Sequence, residues 1–201
     1  VEEYINKKWE NIIGMENIKE SLINVGKKIL RDKIKNKAKK EKAEERGETF
    51  KKTDEKPSYH TLLAGPPGTG KTFIAKVIAE VYHKLGLCKS SEVIVAQQVD
   101  LNSGHMGGTQ IKTRDLIYKA WGGVLFIDEA YQLARSADGL QAFETIMSFL
   151  DKPTSAPKGM SIDDAPIFMF AGYENEMLGF CTHKKDDGSC KTRTDKQNEN
   201  E

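Results

Sequence analysis

The chain has little that points to a membrane, an oxidising compartment or a polyanionic partner. No run approaches the roughly 18 consecutive apolar residues of a membrane-spanning helix. The opening Val1-Glu2-Glu3-Tyr4 lacks the basic-then-apolar layout of a secretion signal. Because Val1 is not an initiator methionine, the natural start is expected upstream, and the choice between cytoplasm and an organelle stays open. Cysteine is scarce and odd in number: Cys88, Cys181 and Cys190 form no Cys-x-x-Cys pair, which implies reduced thiols in a soluble, intracellular, reducing setting. Cys181, His183 and Cys190 lack the fourth ligand of a structural zinc site. Neither charge dominates: 31 Lys and Arg face 30 Asp and Glu, so no global field marks a nucleic-acid or membrane binder. There is no internal repeat. What remains, 201 residues at 38% hydrophobic, fits one globular unit with some solvated extra length.

Three short apolar runs are the clearest structural signal. Thr61-Leu62-Leu63-Ala64, Val124-Leu125-Phe126-Ile127 and Ile167-Phe168-Met169-Phe170 each suit a fully buried strand, and residues 92–96 carry a further β-rich run. Between them lie helical patterns: Ile74, Val77, Ile78, Val81 and Leu85 ahead of Gly86, then residues 111–120 and 140–150. Apolar strands alternating with helices predict an α/β fold, a parallel sheet covered on both faces. Ahead of this core, Leu22, Val25, Ile29 and Ile34 continue a helical face from Ile18 into a lysine-rich stretch that becomes solvated. The expected organisation is an N-terminal helix and charged loop over 1–58, a nucleotide-binding core over 59–180, and a polar tail without apolar period over 181–201.

Gly65-Pro66-Pro67-Gly68-Thr69-Gly70-Lys71-Thr72 has P-loop spacing and lies between a predicted buried strand and a helix start, where such a loop must be. Its glycines let backbone N–H groups converge on phosphate oxygens, and the helix N-terminus adds a favourable dipole. Lys71 is expected at the β- and γ-phosphates and Thr72 at Mg²⁺. Downstream, the run 124–127 delivers Asp128 and Glu129 at a strand end, the edge at which open α/β sheets bind ligands. Asp128 is expected in the Mg²⁺ shell and Glu129 as the group that orients or deprotonates the attacking water. Pro66, Pro67, Gly68, Thr69 and Gly70 complete the expected cradle for ATP or ADP.

These motifs, with Gly122-Gly123 before the second strand, Glu129-Ala130-Tyr131, Ala171-Gly172-Tyr173 and the Met177…Phe180 spacing, resemble the AAA+ ATPases, and among them the CbbX family of red-type Rubisco activases with its stage V sporulation protein K relatives. The resemblance runs from about Ile12 to Phe180. It implies a P-loop three-layer core, the AAA+ large subdomain, hydrolysing ATP in a hexameric ring and remodelling a protein substrate through a central pore, with no nucleic acid or membrane as partner. By the same resemblance Ile13-Gly14 lies against the adenine, and Tyr173 takes the slot of a polar sensor near the γ-phosphate, a buried packing role being the alternative.

The sequence also departs from the family. His105-Met106-Gly107 stands where the family has an aromatic-aliphatic-glycine pore phrase; an apolar grip on a peptide and an ordinary surface loop both fit. The family's arginine finger and helical lid are expected after Phe180, whereas here Cys181-Thr182-His183 follow and Arg193 has no matching neighbours. Loss of a trans arginine lowers such turnover by roughly 10³ to 10⁵, so the chain alone is expected to be weak or inactive. Two other readings stay open: a nucleotide-gated binding module without productive hydrolysis, and a DNA-acting AAA+ ATPase. Residues 102–110 carry no Lys or Arg, which counts against the latter.

Overall fold

The computed structural model describes residues 2–10, 12, 14–45, 59–103, 107–151, 153, 155–181, 183–184 and 190–191. Helices α1 (Glu2–Trp9) and α2 (Glu16–Glu45) precede β1 (Thr61–Ala64) and α3 (Lys71–Lys84). Then come β2 (Val93–Ala96), the short α4 (Gln98–Leu101), α5 (Gly108–Lys119) and β3 (Val124–Ile127). A 3-10 turn (Ala130–Arg135) leads into α6 (Ala137–Asp151), followed by β4 (Ile167–Gly172) and α7 (Glu174–Cys181).

The four main strands form one parallel sheet in the order β1-β4-β3-β2. All four residues of β3 are buried, because neighbours flank the strand and helices cover both faces. Its side chains alternate between two cores, as the period of a strand demands. Val124 and Phe126 join Met169 beneath α1, α2 and α3, against Ile5, Trp9, Leu22, Ile29 and Ile74. Leu125 and Ile127 join Phe168 on the other face, against Leu101, Ile117, Leu133 and Ile146 of α4, α5, the 3-10 turn and α6. The result is the expected three-layer α/β architecture.

Several local features were not foreseen. Helix α1 places Ile5 and Trp9 one turn apart in the first core and is tied to its neighbours by Lys27–Glu2 at 2.8 Å and by a Lys8–Glu80 ion pair. Helix α6 begins three residues before the expected Leu140, because Ser136 accepts from the Gly139 N–H at 3.0 Å and so caps it. Lys33 of α2 donates to the Leu85 carbonyl at 2.5 Å, closing the C-terminal end of α3 beside Gly86. Within the segment expected to lack order, β5 (His183–Lys184) pairs antiparallel with β6 (Cys190–Lys191). Cys181, expected to open the tail, instead ends α7, and the remaining tail residues, Arg193 among them, lie outside the described residues. No helix among the described residues is long and apolar enough to cross a membrane.

Candidate functional site at the carboxyl edge of the sheet

The parallel register sets the site's layout. Ala64 ends β1 opposite Gly172 of β4, and Ile127 ends β3 opposite Phe170. The loop after β1 and the carboxylates after β3 therefore leave the same edge, one strand apart on either side of β4, about 10 Å from each other. Tyr173, the first residue after β4, lies between them.

The loop itself is anchored at its base, where the Gly65 N–H donates to the Gly172 carbonyl at 3.1 Å. Gly68 and Gly70 take left-handed conformations, with φ of 73° and 77°, which only glycine adopts without strain. A Cβ on Gly68 would meet nothing within 4 Å, so its selection here is for backbone shape rather than for space. Thr69 donates to the Pro66 carbonyl at 2.9 Å and pins the turn, and Pro66, Pro67, Gly68, Thr69 and Gly70 are all exposed at its rim. Lys71 and Thr72 open α3, half-buried. The Lys71 ammonium folds back over the loop and donates to the Gly65 and Pro66 carbonyls at 3.0 and 2.8 Å.

Across the edge, the Asp128 N–H continues the β3–β2 ladder to the Ala96 carbonyl at 2.9 Å, and its Oδ1 accepts from the Glu129 N–H at 3.1 Å. Glu129 is left-handed, φ 49° and ψ 43°. For a residue with a side chain, such a conformation costs on the order of 1–3 kcal/mol and clusters at functional positions. Both of its carboxylate oxygens are engaged: the Tyr173 hydroxyl donates to Oε1 at 3.2 Å, and the Gln132 side-chain amide donates to Oε2. That hydrogen bond and the charge of Glu129 hold the Tyr173 phenol above its usual range. On the other side of the ring, the Lys71 ammonium sits 5.5 Å from its centroid. Tyr173 thus links the lysine of the loop to the carboxylate of β3.

The donor set fits a magnesium nucleotide. An ammonium whose partners are two loop carbonyls can exchange them for phosphate oxygens, and residues 66–70 of the loop are exposed. Thr72 supplies a hydroxyl and Asp128 a carboxylate, the hard oxygen ligands that Mg²⁺ takes. Among the described residues, no group of three or more His, Cys, Asp or Glu forms a separate metal cluster. Beside this edge a cavity of about 570 Å³ is lined by Gln97, Gln98, Asn102, Asp128, Glu129 and Ser136. The carboxylates face it; the exposed loop does not line it.

Of the residues expected in the site, the structure brings Lys71, Tyr173 and Glu129 together in one chain of contacts, with Asp128 adjoining and Thr72 in the first turn of α3. Gly14, with φ of 80°, sits in the turn between α1 and α2, and Ile13 lies outside the described residues. His105 and Met106 also lie outside them, but the stems on either side are tied. Lys112 donates to the Val99 and Asn102 carbonyls at 3.0 and 2.8 Å, while the buried Thr109 accepts from the Ser103 N–H at 3.2 Å. Gln132 escaped the sequence reading altogether. Its only signal is a position three residues past Glu129, which has meaning once the segment is known to turn as a helix.

The model of the ATPase family associated with various cellular activities (AAA) matches residues 61–178, the span that holds the loop, both carboxylates and Tyr173. The chain belongs to that AAA family. Membership implies nucleotide binding and, in general, ATPase activity. Over 183 residues the AAA chain is 30% identical to the chloroplastic ribulose bisphosphate carboxylase/oxygenase activase of Cyanidioschyzon merolae, covering 89% of this chain and 53% of that protein. It is 36% identical over 128 residues to stage V sporulation protein K of Bacillus subtilis, covering 62% of this chain and 37% of that one. These are the relatives that the phrases around Asp128-Glu129 and Ala171-Gly172-Tyr173 resemble. The chain spans about half the length of these curated relatives or less. Among solved structures, the FIGL-1 AAA domain in complex with ADP matches with a TM-score of 0.50 at 20% identity, covering 84% of this chain and 49% of that one. At that identity the likeness speaks for the fold alone.

Proposed function

We propose that this chain binds Mg-ATP at the loop 65–72 and hydrolyses it within a hexameric ring, coupling turnover to the remodelling of a protein substrate as in the CbbX-like branch of its family. The observation that carries the reading is the convergence of Lys71, Tyr173 and Glu129 at one sheet edge, beside a glycine loop open to phosphate. Gly68, Thr69 and Gly70, flanked by Pro66 and Pro67, cradle the phosphates, Lys71 exchanges its loop carbonyls for their oxygens, and Ile13-Gly14 borders the base. Thr72 and Asp128 would hold Mg²⁺, which when bound supplies positive charge against the phosphate oxygens. Glu129 orients the attacking water and accepts its proton.

The organisation proposed is helices and a charged loop over 1–58, the ATPase core over 59–180 and a polar tail over 181–201. In support, α1 and α2 share the first core with α3 and the sheet, so the N-terminal helices are packed onto the ATPase core. A polypeptide is proposed as the threaded substrate because residues 102–110 carry no cationic side chain for a phosphate backbone, and because the stems of that loop are braced. Isothermal calorimetry with ATP and magnesium tests the site. Wild type should bind and Lys71→Ala should lose most of the triphosphate affinity; equal affinity in two folded proteins would remove the basis of the assignment.

A further inference from the structure

A carboxylate that must orient water can turn about two side-chain bonds and a terminal one, and an unheld glutamate samples many arrangements. Glu129 here is held. Its backbone is left-handed at the end of a buried strand, its N–H is bound by Asp128, and its carbonyl accepts from the Gln132 N–H at 2.9 Å, the first turn of the 3-10 segment. That turn brings the half-buried Gln132 side chain back onto Oε2. The segment cannot easily shift, because Ala130, Tyr131 and Leu133 on either side of Gln132 are buried, and a Cβ at Gly139 would lie 2.3 Å from the Leu133 carbonyl. Gln132 is therefore a donor mounted on a rigid turn and aimed at one oxygen of Glu129.

Oε1 is held differently. Its partner, Tyr173, stands just after the neighbouring strand and faces the Lys71 ammonium with its ring. Whatever anion draws Lys71 off the Gly65 and Pro66 carbonyls arrives beside that ring, where its oxygens compete with Glu129 for the phenolic proton. The two oxygens are thus unequal: one is bound by a donor on its own turn, the other by a donor that the nucleotide can take away.

We propose that Gln132 is a positioning residue for Glu129, retaining Oε2 throughout the cycle so that Oε1, once Tyr173 leaves it, points at the attacking water. This rests on the reading of Glu129 as the water-orienting group. Gln132, on the wall of the cavity that the carboxylates face, acts by fixing the carboxylate plane.

The test uses steady-state ATP hydrolysis by the full-length protein, with ATP affinity measured separately by calorimetry. Gln132→Met keeps the length and volume of the side chain but removes the donor, whereas Gln132→Asn keeps the amide and shortens its reach. Gln132→Met should lower kcat by about 10- to 100-fold with KM and ATP affinity within about twofold of wild type, and Gln132→Asn should retain more activity than Gln132→Met. A residue that merely fills space gives the reverse order, since methionine matches glutamine in volume and asparagine leaves a gap. That reverse order, or a kcat for Gln132→Met equal to wild type, overturns the proposal. Glu129→Gln run in parallel separates the two readings. If it turns over at the wild-type rate, the role of Glu129 fails and this inference with it. If only Glu129→Gln is inactive while Gln132→Met is unaffected, the inference alone fails. Should Gln132→Met not fold, Gln132→Glu decides the matter: like charges then face each other, and the same loss of kcat at constant KM is expected.

Discussion

Gly172 ends β4 at the point where the sheet, the 3-10 turn and α7 meet, and replacing it with alanine perturbs packing without perturbing the backbone. Its φ is not positive, so alanine meets no conformational penalty there. The added Cβ, however, would stand 2.6 Å from Met177 Sδ, 2.8 Å from Met177 Cγ and 2.9 Å from Tyr131 Cδ1. Met177 is 1% exposed and Tyr131 6%, so neither has free volume to retreat into. Overpacking of this kind costs about 1–3 kcal/mol. For a chain of this size each kcal/mol lowers Tm by about 2–4 °C, giving a drop of about 2–12 °C in a thermal scan. The clash also has a functional direction. The Tyr131 ring lies 5.7 Å from that of Tyr173, so a displaced Tyr131 pushes on the residue that holds Glu129, and turnover should change along with stability. Coupling checks the mechanism. Met177→Ala alone leaves a cavity, but the double variant Gly172→Ala/Met177→Ala fills part of it, and its loss should fall short of the sum of the single losses. A Tm for Gly172→Ala within about 1 °C of wild type, or strict additivity in the double variant, refutes the steric argument.

Gly68→Ala is the complementary case, with open space but φ of 73°; it should lower stability by only about 1 kcal/mol while weakening ATP binding in calorimetry. His60 accepts from the Phe168 N–H through Nδ1 at 3.0 Å, and burial pushes its pKa below the ordinary value. The unfolded chain then binds the proton more readily than the folded one, so stability is complete above about pH 6.5 and falls as the pH drops from there toward the folded pKa, by at most about 1.4 kcal/mol per pH unit; urea midpoints across that range should show this slope in wild type and lose it in His60→Ala. Glu129→Gln should keep ATP affinity and accumulate ATP-bound oligomers without turnover, whereas Asp128→Asn should also weaken magnesium-dependent binding; gel filtration with a phosphate-release assay distinguishes them. Replacing His105 and Met106 together with serine should abolish remodelling of a protein substrate at unchanged ATPase rate; surviving remodelling would make 102–110 an ordinary surface loop.

The centre of the sheet was legible because β3 and β4 are buried on both faces, whereas β1, expected to be fully buried, is an edge strand that leaves Leu62 and Ala64 exposed. Residues 124–127 and 167–170 need apolar side chains at every position, since alternate residues enter different cores, and such runs stand out in a chain that is 30% charged. Helix α1 was not legible: in eight residues it carries only Ile5 and Trp9 into the core, and what holds it in place comes from α2 and α3, through Lys27 and Glu80. Helix α6 was found but begun late. Its apolar period starts at Leu140, whereas its first turn is made by the Ser136 cap, a single hydrogen bond without hydrophobic signature.

The site divides along the same line. The positions of the loop glycines, Lys71, Thr72 and the Asp128-Glu129 pair were legible from spacing because they are set by local chain order: a glycine loop after a strand, a helix that starts at Lys71, and a strand that ends just before two carboxylates. The contacts of Tyr173 were not, because its partners are set by the strand order. With β4 between β1 and β3, a residue at its end has the loop lysine on one side and Glu129 on the other. Had β4 lain at the sheet edge, the same Ala171-Gly172-Tyr173 phrase would have touched at most one of them. The contact of Tyr173 with both Lys71 and Glu129 is therefore a property of topology. A Tyr173→Phe variant, which keeps the ring against Lys71 but drops the hydrogen bond to Glu129, separates those two contacts.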